Sequence, residues 1–203
     1  MRIISGTARG RSLKAVPGTG TRPTTDKVKE AIFSMIGPYF DGGQVLDLFA
    51  GTGGLGIEAL SRGMDRAIFT DIDKKSIDII RDNARAAGFE KQAEIYRNDA
   101  SKALKVLTKR ESVFRLVFLD PPYRLKVIPE LIESMQENGL LEEGATIVAE
   151  HDAEDTLPET IGRCETVRRA EYGDTAVTLY IYRKSYALQG EQTDDADQPE
   201  GEQ

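Results

Sequence analysis

Asp120, Pro121, Pro122 and Tyr123 stand directly after Val113–Leu119, an apolar run that reads as a buried strand. A carboxylate, a rigid kink and an aromatic face are thereby set at the carboxyl end of a strand, the edge at which open α/β sheets bind ligands. Two consecutive prolines hold φ near one value and remove two backbone donors, leaving carbonyls free to accept hydrogen bonds from something other than the chain. An acceptor cluster beside an aromatic ring suits a flat ligand that carries an NH2 group.

The second segment with chemical content is Val45–Gly56, a strand that runs into glycines at the start of a helix. Such a turn lets backbone amides approach a ligand closely and sets the positive end of the helix beside it. Gly51, Gly53 and Gly56 fit the dinucleotide pattern G-x-G-x-x-G. Asp71 closes the next strand about 20 residues on, where a carboxylate holds ribose hydroxyls. A nicotinamide dinucleotide is therefore one reading. Asp47 argues against it, because an anion within the strand repels a pyrophosphate and attracts a cationic sulfonium or α-amino group. The chemistry favours S-adenosylmethionine.

The elements that must position these groups alternate. Val28, Ala31, Ile32, Met35 and Ile36 recur at helical spacing, with Thr24 or Thr25 as cap and Asp26 in the first turn. Strands are expected at 44–49, 66–70, 93–97, 113–119 and 145–150, separated by helices at 55–62, 74–87, 101–109 and 126–138. This β-α alternation predicts an α/β fold, a mostly parallel sheet with helices on both faces. Residues 163–172 and 175–183 alternate polar and apolar around Gly173-Asp174, which predicts an antiparallel hairpin added at the sheet edge.

With 203 residues, of which 39% are hydrophobic and 30% charged, the chain can close one sizeable core. Three parts are expected: a basic arm over 1–25, a domain over 26–186 and an acidic tail over 187–203. The net charge of -7 conceals this polarity, since residues 1–30 hold seven Lys/Arg against two acids whereas 189–203 hold six acids and no base. The tail has almost no apolar residue and is expected to be disordered. In the arm, basic residues interleave with Gly6, Gly10, Gly18 and Gly20. A mobile segment that follows a phosphate backbone and a plain solvated loop both fit. No apolar stretch reaches the ~18 residues of a membrane span, no signal core opens the chain, and a soluble cytoplasmic protein is expected. Cys164, the single cysteine, has no Cys or His cluster around it, so no metal site is expected and the thiol reads as structural.

Taken together, the Val45–Gly56 and Asp120–Tyr123 segments resemble the class I S-adenosylmethionine-dependent methyltransferases, and within them the amino-methyltransferases with a D/N-P-P-Y/F motif. The resemblance runs from Met1 to Arg183 and implies a Rossmann-like fold. It implies that Asp47, Phe49, Ala50, Gly51 and Gly53 cradle the methionine part of the cofactor, that Asp71 binds the ribose, and that Asp99 and Ala100 contact the adenine. Asp99 taken alone also reads as a helix cap. The segments 2–11 and 22–30 are similar to the bacterial 16S rRNA guanine-N2 methyltransferases of the RsmD type. In that family the Arg22-Pro23-Thr24 segment helps close the cofactor site, here through Thr24, and the preceding arm faces RNA, here with Arg9, Arg11 and Arg22. Lys27 and Lys29 stand where the family usually has arginines, and the acidic tail is a further departure.

The resemblance implies methyl transfer from S-adenosylmethionine to the exocyclic N2 of a guanine in 16S rRNA, within an assembled or assembling small subunit. S-Adenosylhomocysteine is then the coproduct. Asp120 and the Pro121 carbonyl would accept the amine hydrogens, Pro122 would hold the kink, and Tyr123 would stack on the flipped base. The motif is shared by enzymes acting on adenine N6, cytosine N4 and glutamine amides. A DNA adenine-N6 methyltransferase therefore remains an alternative, as does a noncatalytic RNA-binding or ribosome-assembly factor. Only a helix, a strand and a hairpin fit between Tyr123 and Arg183, little surface for reading a DNA sequence. His151, the only histidine, reads as a surface or structural residue, and Tyr172, Tyr180 and Tyr182 as packing in the hairpin.

Overall fold

The structure, a computed structural model, describes residues 1–16 and 25–184. Thr24, Arg22 and the acidic tail, to which the sequence assigns roles, lie outside the described residues.

Among the described residues, eight strands form one sheet in the order β3-β2-β1-β4-β5-β8-β7-β6. β1 (Gln44–Asp47), β2 (Arg66–Asp71), β3 (Ala93–Arg97), β4 (Phe114–Leu119) and β5 (Leu141–Asp152) run parallel. β8 (Thr175–Tyr182) pairs antiparallel with β5, β7 (Cys164–Tyr172) with β8, and the two-residue β6 (Thr160–Ile161) with β7. The expected hairpin thus extends the sheet at the β5 edge. The alternating helices cover both faces, because a parallel sheet has two apolar faces to bury. α2 (Gly54–Ser61) and α3 (Lys74–Ala87) pack one face with α1 (Asp26–Ile36) through Ile32, Phe33, Ile57 and Ile80, and α4 (Ala100–Lys109) and α5 (Ile128–Glu137) pack the other through Leu104, Leu107, Ile132 and Met135.

Local chemistry sets the helix ends. The Thr25 hydroxyl accepts from Val28 N, the Asp73 carboxylate from Lys75 N and the Asp99 carboxylate from Lys102 N. α5 begins two residues later than its apolar spacing predicts. A 3-10 turn, Tyr123–Leu125, and Lys126 at φ 50 precede it. β5 is longer than expected: Glu142–Ala145 interrupt its ladder with β4, where Gly144 takes φ 76, and Leu141 pairs again beyond them. Two acids and a glycine made that start read as loop.

The basic arm departs most from expectation. Residues 1–16 are not a mobile arm but a folded loop closed by an antiparallel bridge between Arg2 and Ser12, with Ile3, Ala8 and Leu13 buried. Its anchor is Glu58 of α2, which is fully buried and accepts from Ile4 N at 2.9 Å, Ser5 N at 3.0 Å and Arg62 Nε at 2.8 Å. Lys29 of α1 is equally buried, with Nζ 3.3 Å from Glu58 and donating to the Arg2 carbonyl. Burial pushes the Lys29 ammonium below its ordinary pKa and Glu58 opposes that shift. Arg9 and Arg11 remain exposed, with Arg11 Nη1 donating to the Ala86 carbonyl of α3 at 3.2 Å.

Breaking a buried ion pair from one side leaves a charge uncompensated. Glu58→Ala should therefore lower unfolding stability by about 3–5 kcal/mol in urea titration. A loss under about 1 kcal/mol, the range of surface pairs, would show that Glu58 does not hold the loop.

Candidate active site

The parallel strand order reverses between β1 and β4, so the loops after these two strands part and leave a crevice at their carboxyl ends. A cavity of about 1900 Å³ lies there. Its walls include Asp47, Phe49, Ala50 and Gly51 after β1, Asp71 after β2, Asp99 and Ala100 after β3, and Asp120, Pro121, Pro122 and Tyr123 after β4. Residues widely separated in sequence share this one space because each ends a parallel strand. Gly53 does not line it. At φ 77, with Ile80 and Ile57 against it, this glycine makes the turn into α2 instead. Arg9 and Arg11 are likewise absent from the walls.

Asp47 ends β1 and is 3% exposed. Its Oδ2 accepts from Gly56 N at 3.0 Å. Burial pushes the carboxyl up to about 7, the Asp71 charge adds to the rise, and the Gly56 hydrogen bond opposes it. Gly56 must be glycine, since a Cβ there would stand 2.3 Å from the Phe69 ring. Gly51 is the opposite case: it takes φ 54, and a Cβ would meet nothing within 4 Å, so the loop presents bare backbone to the cavity. Asp71 orients this loop, with Oδ2 accepting from Gly51 N at 2.8 Å and Oδ1 from Asp73 N at 2.9 Å. An acidic floor and an uncovered glycine turn fit a ligand with a cationic centre and hydroxyls.

Asp99 serves as both the helix cap and the cavity residue that the sequence suggests. It accepts from Lys102 N at 2.9 Å while lining the wall, and that hydrogen bond holds its carboxyl below the ordinary range. Beyond β4, Asp120 is held well above the ordinary carboxylate range, first by burial and then by the negative charges of Glu150 and Asp47. The Pro122 carbonyl is taken up by Leu125 N at 2.9 Å. The Tyr123 hydroxyl lies 2.9 Å from Thr175 Oγ1, which ties its ring to the start of β8, and burial raises the phenol to about 12.

Some lining residues were not singled out from the sequence. Glu150, 6% exposed in β5, reaches the same cavity. It ends a run of apolar strand residues as Asp120 does, and that parallel was the available signal. Ile72, 67% exposed, offers an apolar side chain at the rim. The β7–β8 turn contributes Tyr172 and Thr175, and nothing local marks them. His151 faces away, its Nδ1 2.8 Å from the Asp152 carbonyl and its Nε2 2.9 Å from Thr178 Oγ1, a structural placement. Among the described residues no three His, Cys, Asp or Glu side chains are grouped to hold a metal ion, and no helix is long and apolar enough to cross a membrane.

Residues 1–181 match the family model described as Conserved hypothetical protein 95. The chain belongs to this family. It is 57% identical over 183 residues to YlbH of Bacillus subtilis (strain 168), covering 90% of this chain and 100% of that protein, whose name assigns it provisionally to the rRNA methyltransferases. It is 35% identical over 188 residues to ribosomal RNA small subunit methyltransferase D of Escherichia coli (strain K12), with 89% of each chain covered. Its kinship is thus with the small-subunit methyltransferases of the RsmD type. Among solved structures it is similar to Escherichia coli yhhF, described provisionally as a methyltransferase, with TM-score 0.78, 34% identity and coverage of 91% and 99% of the two chains. A Salinibacter ruber RNA methyltransferase in complex with S-adenosyl-L-homocysteine shares the fold, with TM-score 0.59, 20% identity and coverage of 82% and 97%.

The Asp47 shift ties stability to pH. An unfolded aspartate titrates near ~3.9, so between about pH 4 and 7 the folded chain holds a proton that the unfolded chain has released. Stability from this group therefore falls as pH rises through that window and levels off above it. Asp47→Asn keeps an acceptor for Gly56 N–H without the titration. In urea unfolding without added ligand, the difference between variant and wild type should move in the variant's favour by roughly 2–4 kcal/mol from about pH 4 to pH 8. A pH-independent difference would mean that Asp47 is not held protonated.

Proposed function

We propose that this chain transfers a methyl group from S-adenosylmethionine to the exocyclic N2 of a guanine in 16S rRNA, the small subunit or its precursor being the substrate particle. The observation that carries the reading is a single cavity containing both an acidic glycine-turn half and the Asp120–Tyr123 acceptor cluster. Kinship with small-subunit methyltransferase D supports the RNA class. The setting is cytoplasmic, where subunits assemble.

In this reading Asp47 and the backbone from Phe49 to Gly51 hold the methionine part of the cofactor, with its positive charge facing the Asp47 carboxylate. The ribose hydroxyls fall to Asp71, and the adenine sits between Asp99, Ala100 and the rim at Ile72. Thr24 is assigned to closing this half, and the arm residues Arg9, Arg11 and Arg22 to phosphate contacts outside the cavity. The bound cofactor supplies an electrophilic methyl on a sulfonium sulfur.

The chain supplies orientation. A purine NH2 is a weak nucleophile because its lone pair is delocalised into the ring. Asp120 and the Pro121 carbonyl each accept one of its hydrogens, which draws the nitrogen towards tetrahedral geometry and aims the lone pair at the methyl. Tyr123, pinned through Thr175, offers a fixed face for the extruded base. When the N–C bond forms and the S–C bond breaks, a proton must leave the nitrogen. Asp120 accepts it more readily than an ordinary aspartate because its pKa is raised.

Labelled methyl transfer to small subunits from cells lacking this protein, with nucleoside analysis, tests the reading. The wild type should yield N2-methylguanosine; methylated adenine, or no RNA product alongside intact cofactor binding, would sink it. Loss of a preorganised partner costs ~10²–10³ in rate, so Asp120→Ala should lose at least that in kcat with cofactor affinity intact. Asp120 must be ionised to accept, so wild-type kcat should fall as pH drops through its raised pKa. Asp120→Asn should keep part of the activity without that acid limb. An acid limb that persists in Asp120→Asn would remove Asp120 as its source. Asp71→Ala removes charge-assisted hydrogen bonds and should weaken cofactor binding by about tenfold to a hundredfold in calorimetry; unchanged affinity would take Asp71 out of the site.

A further inference from the structure

The D-P-P-Y cluster satisfies an NH2 group and leaves open which base bears it. Adenine, cytosine and guanine all carry an exocyclic amine. On adenine and cytosine the neighbouring ring nitrogen is an acceptor, whereas on guanine N1 carries a hydrogen and is a donor. A wall that separates guanine from the other two must therefore set a second acceptor beside the one that takes the amine.

Glu150 has that position. β4 and β5 are parallel neighbours in register at Leu119 and Ala149, so the next residues along the two strands are Asp120 and Glu150. Adjacent strands lie about 4.7–4.9 Å apart, which lets carboxyl groups on both converge on neighbouring atoms of one base edge. Both line the same cavity, and Glu150 is close enough for its charge to act on Asp120 and on Tyr123. It is 6% exposed and stands within a twelve-residue strand flanked by β4 and β8, so its place is set by the sheet.

We propose that Glu150 is a specificity-determining residue that accepts the N1 hydrogen of guanine while Asp120 and the Pro121 carbonyl hold the N2 amine. This rests on the proposed methyl transfer to guanine N2. The carboxylate faces a donor on guanine, and on adenine or cytosine it faces a lone pair, which excludes those bases by repulsion as well as by loss of a hydrogen bond.

2-Aminopurine separates the two contacts, because it keeps the N2 amine and has an acceptor at N1. Small subunits are reconstituted on RNA carrying guanine or 2-aminopurine at the position that the wild type methylates, and kcat/KM is compared. The wild type should prefer guanine by at least about tenfold, the value of one charge-assisted hydrogen bond. Glu150→Gln, whose amide can turn to present either a carbonyl or an N–H, should bring that preference to within about threefold, chiefly by slowing the guanine reaction. Structural damage would lower both substrates together. An equal loss on both, or an unchanged preference, overturns the assignment even if N2-methylguanosine is formed. Methylation of a different base by the wild type overturns the functional reading and this inference with it.

A pH profile supplies an independent readout. The groups facing Asp120 are Asp47 on β1, Glu150 on β5 and Tyr123 in the following turn. Removing the Glu150 charge relieves one of the repulsions, so Glu150→Gln should shift the acid limb of kcat/KM to lower pH. Glu150→Asp, which keeps the charge, should leave the limb nearly in place while still eroding the base preference. Calorimetric cofactor binding equal to wild type identifies the variants as folded, and an acid limb unmoved in folded Glu150→Gln would separate Glu150 from Asp120.

Discussion

Carboxyl groups withdrawn from water on a parallel sheet oppose folding, and three are so placed: Asp47 at the end of β1, Asp120 directly after β4 and Glu150 near the end of β5. Burial raises the first two, and like charge raises them further. A buried carboxyl group costs more than an amide, and at Asp47 an amide would still accept from Gly56 N. The presence of these acids makes sense for a ligand that brings a positive charge and hydrogen-bond donors. Most of the remaining architecture can be understood as the frame that brings them together: the order reversal between β1 and β4 opens the crevice, and helices on both faces keep the sheet rigid enough for the wall to hold its shape.

The amino-terminal loop shows the other way in which a protein handles buried charge. Glu58 is as buried as Asp47, yet two backbone N–H groups, Lys29 and Arg62 surround it. Its charge is matched within the chain and fastens residues 1–16 to α2. Asp47 and Asp71, by contrast, are held by backbone N–H groups, Gly56 N on the first and Gly51 N and Asp73 N on the second. Lys29 and Met1 also reach the cavity wall. The exposed Arg9 and Arg11 are therefore carried on a segment anchored close to the site, without the ordering entropy that a mobile arm would lose on meeting a phosphate backbone.

Much of the site was legible in one dimension. Asp47, Asp71 and Asp120 each close an apolar strand, Gly51 and Asp99 stand in the loops after theirs, and the rule that parallel sheets bind at their carboxyl ends sufficed to group them. Helix existence followed from apolar spacing and caps. What failed did so for local reasons. Leu141 lay beyond a polar stretch, so the strand appeared six residues long. The basic arm looked mobile because its glycines and arginines outnumber its three buried apolar residues. Gly53 matched a ligand-binding pattern, whereas its conformation serves the turn.

Sequence alone determined the order of the main helices and strands, the two segments to which the proposed chemistry is assigned and the kind of ligand suited to each, because propensity, capping and charge are properties of neighbouring residues. Tertiary structure alone decided that Glu150 stands beside Asp120, that Thr175 pins Tyr123, and that Glu58 holds the amino terminus. Each of these depends on strand register or on packing between residues at least 25 positions apart, a separation over which no local pattern carries information.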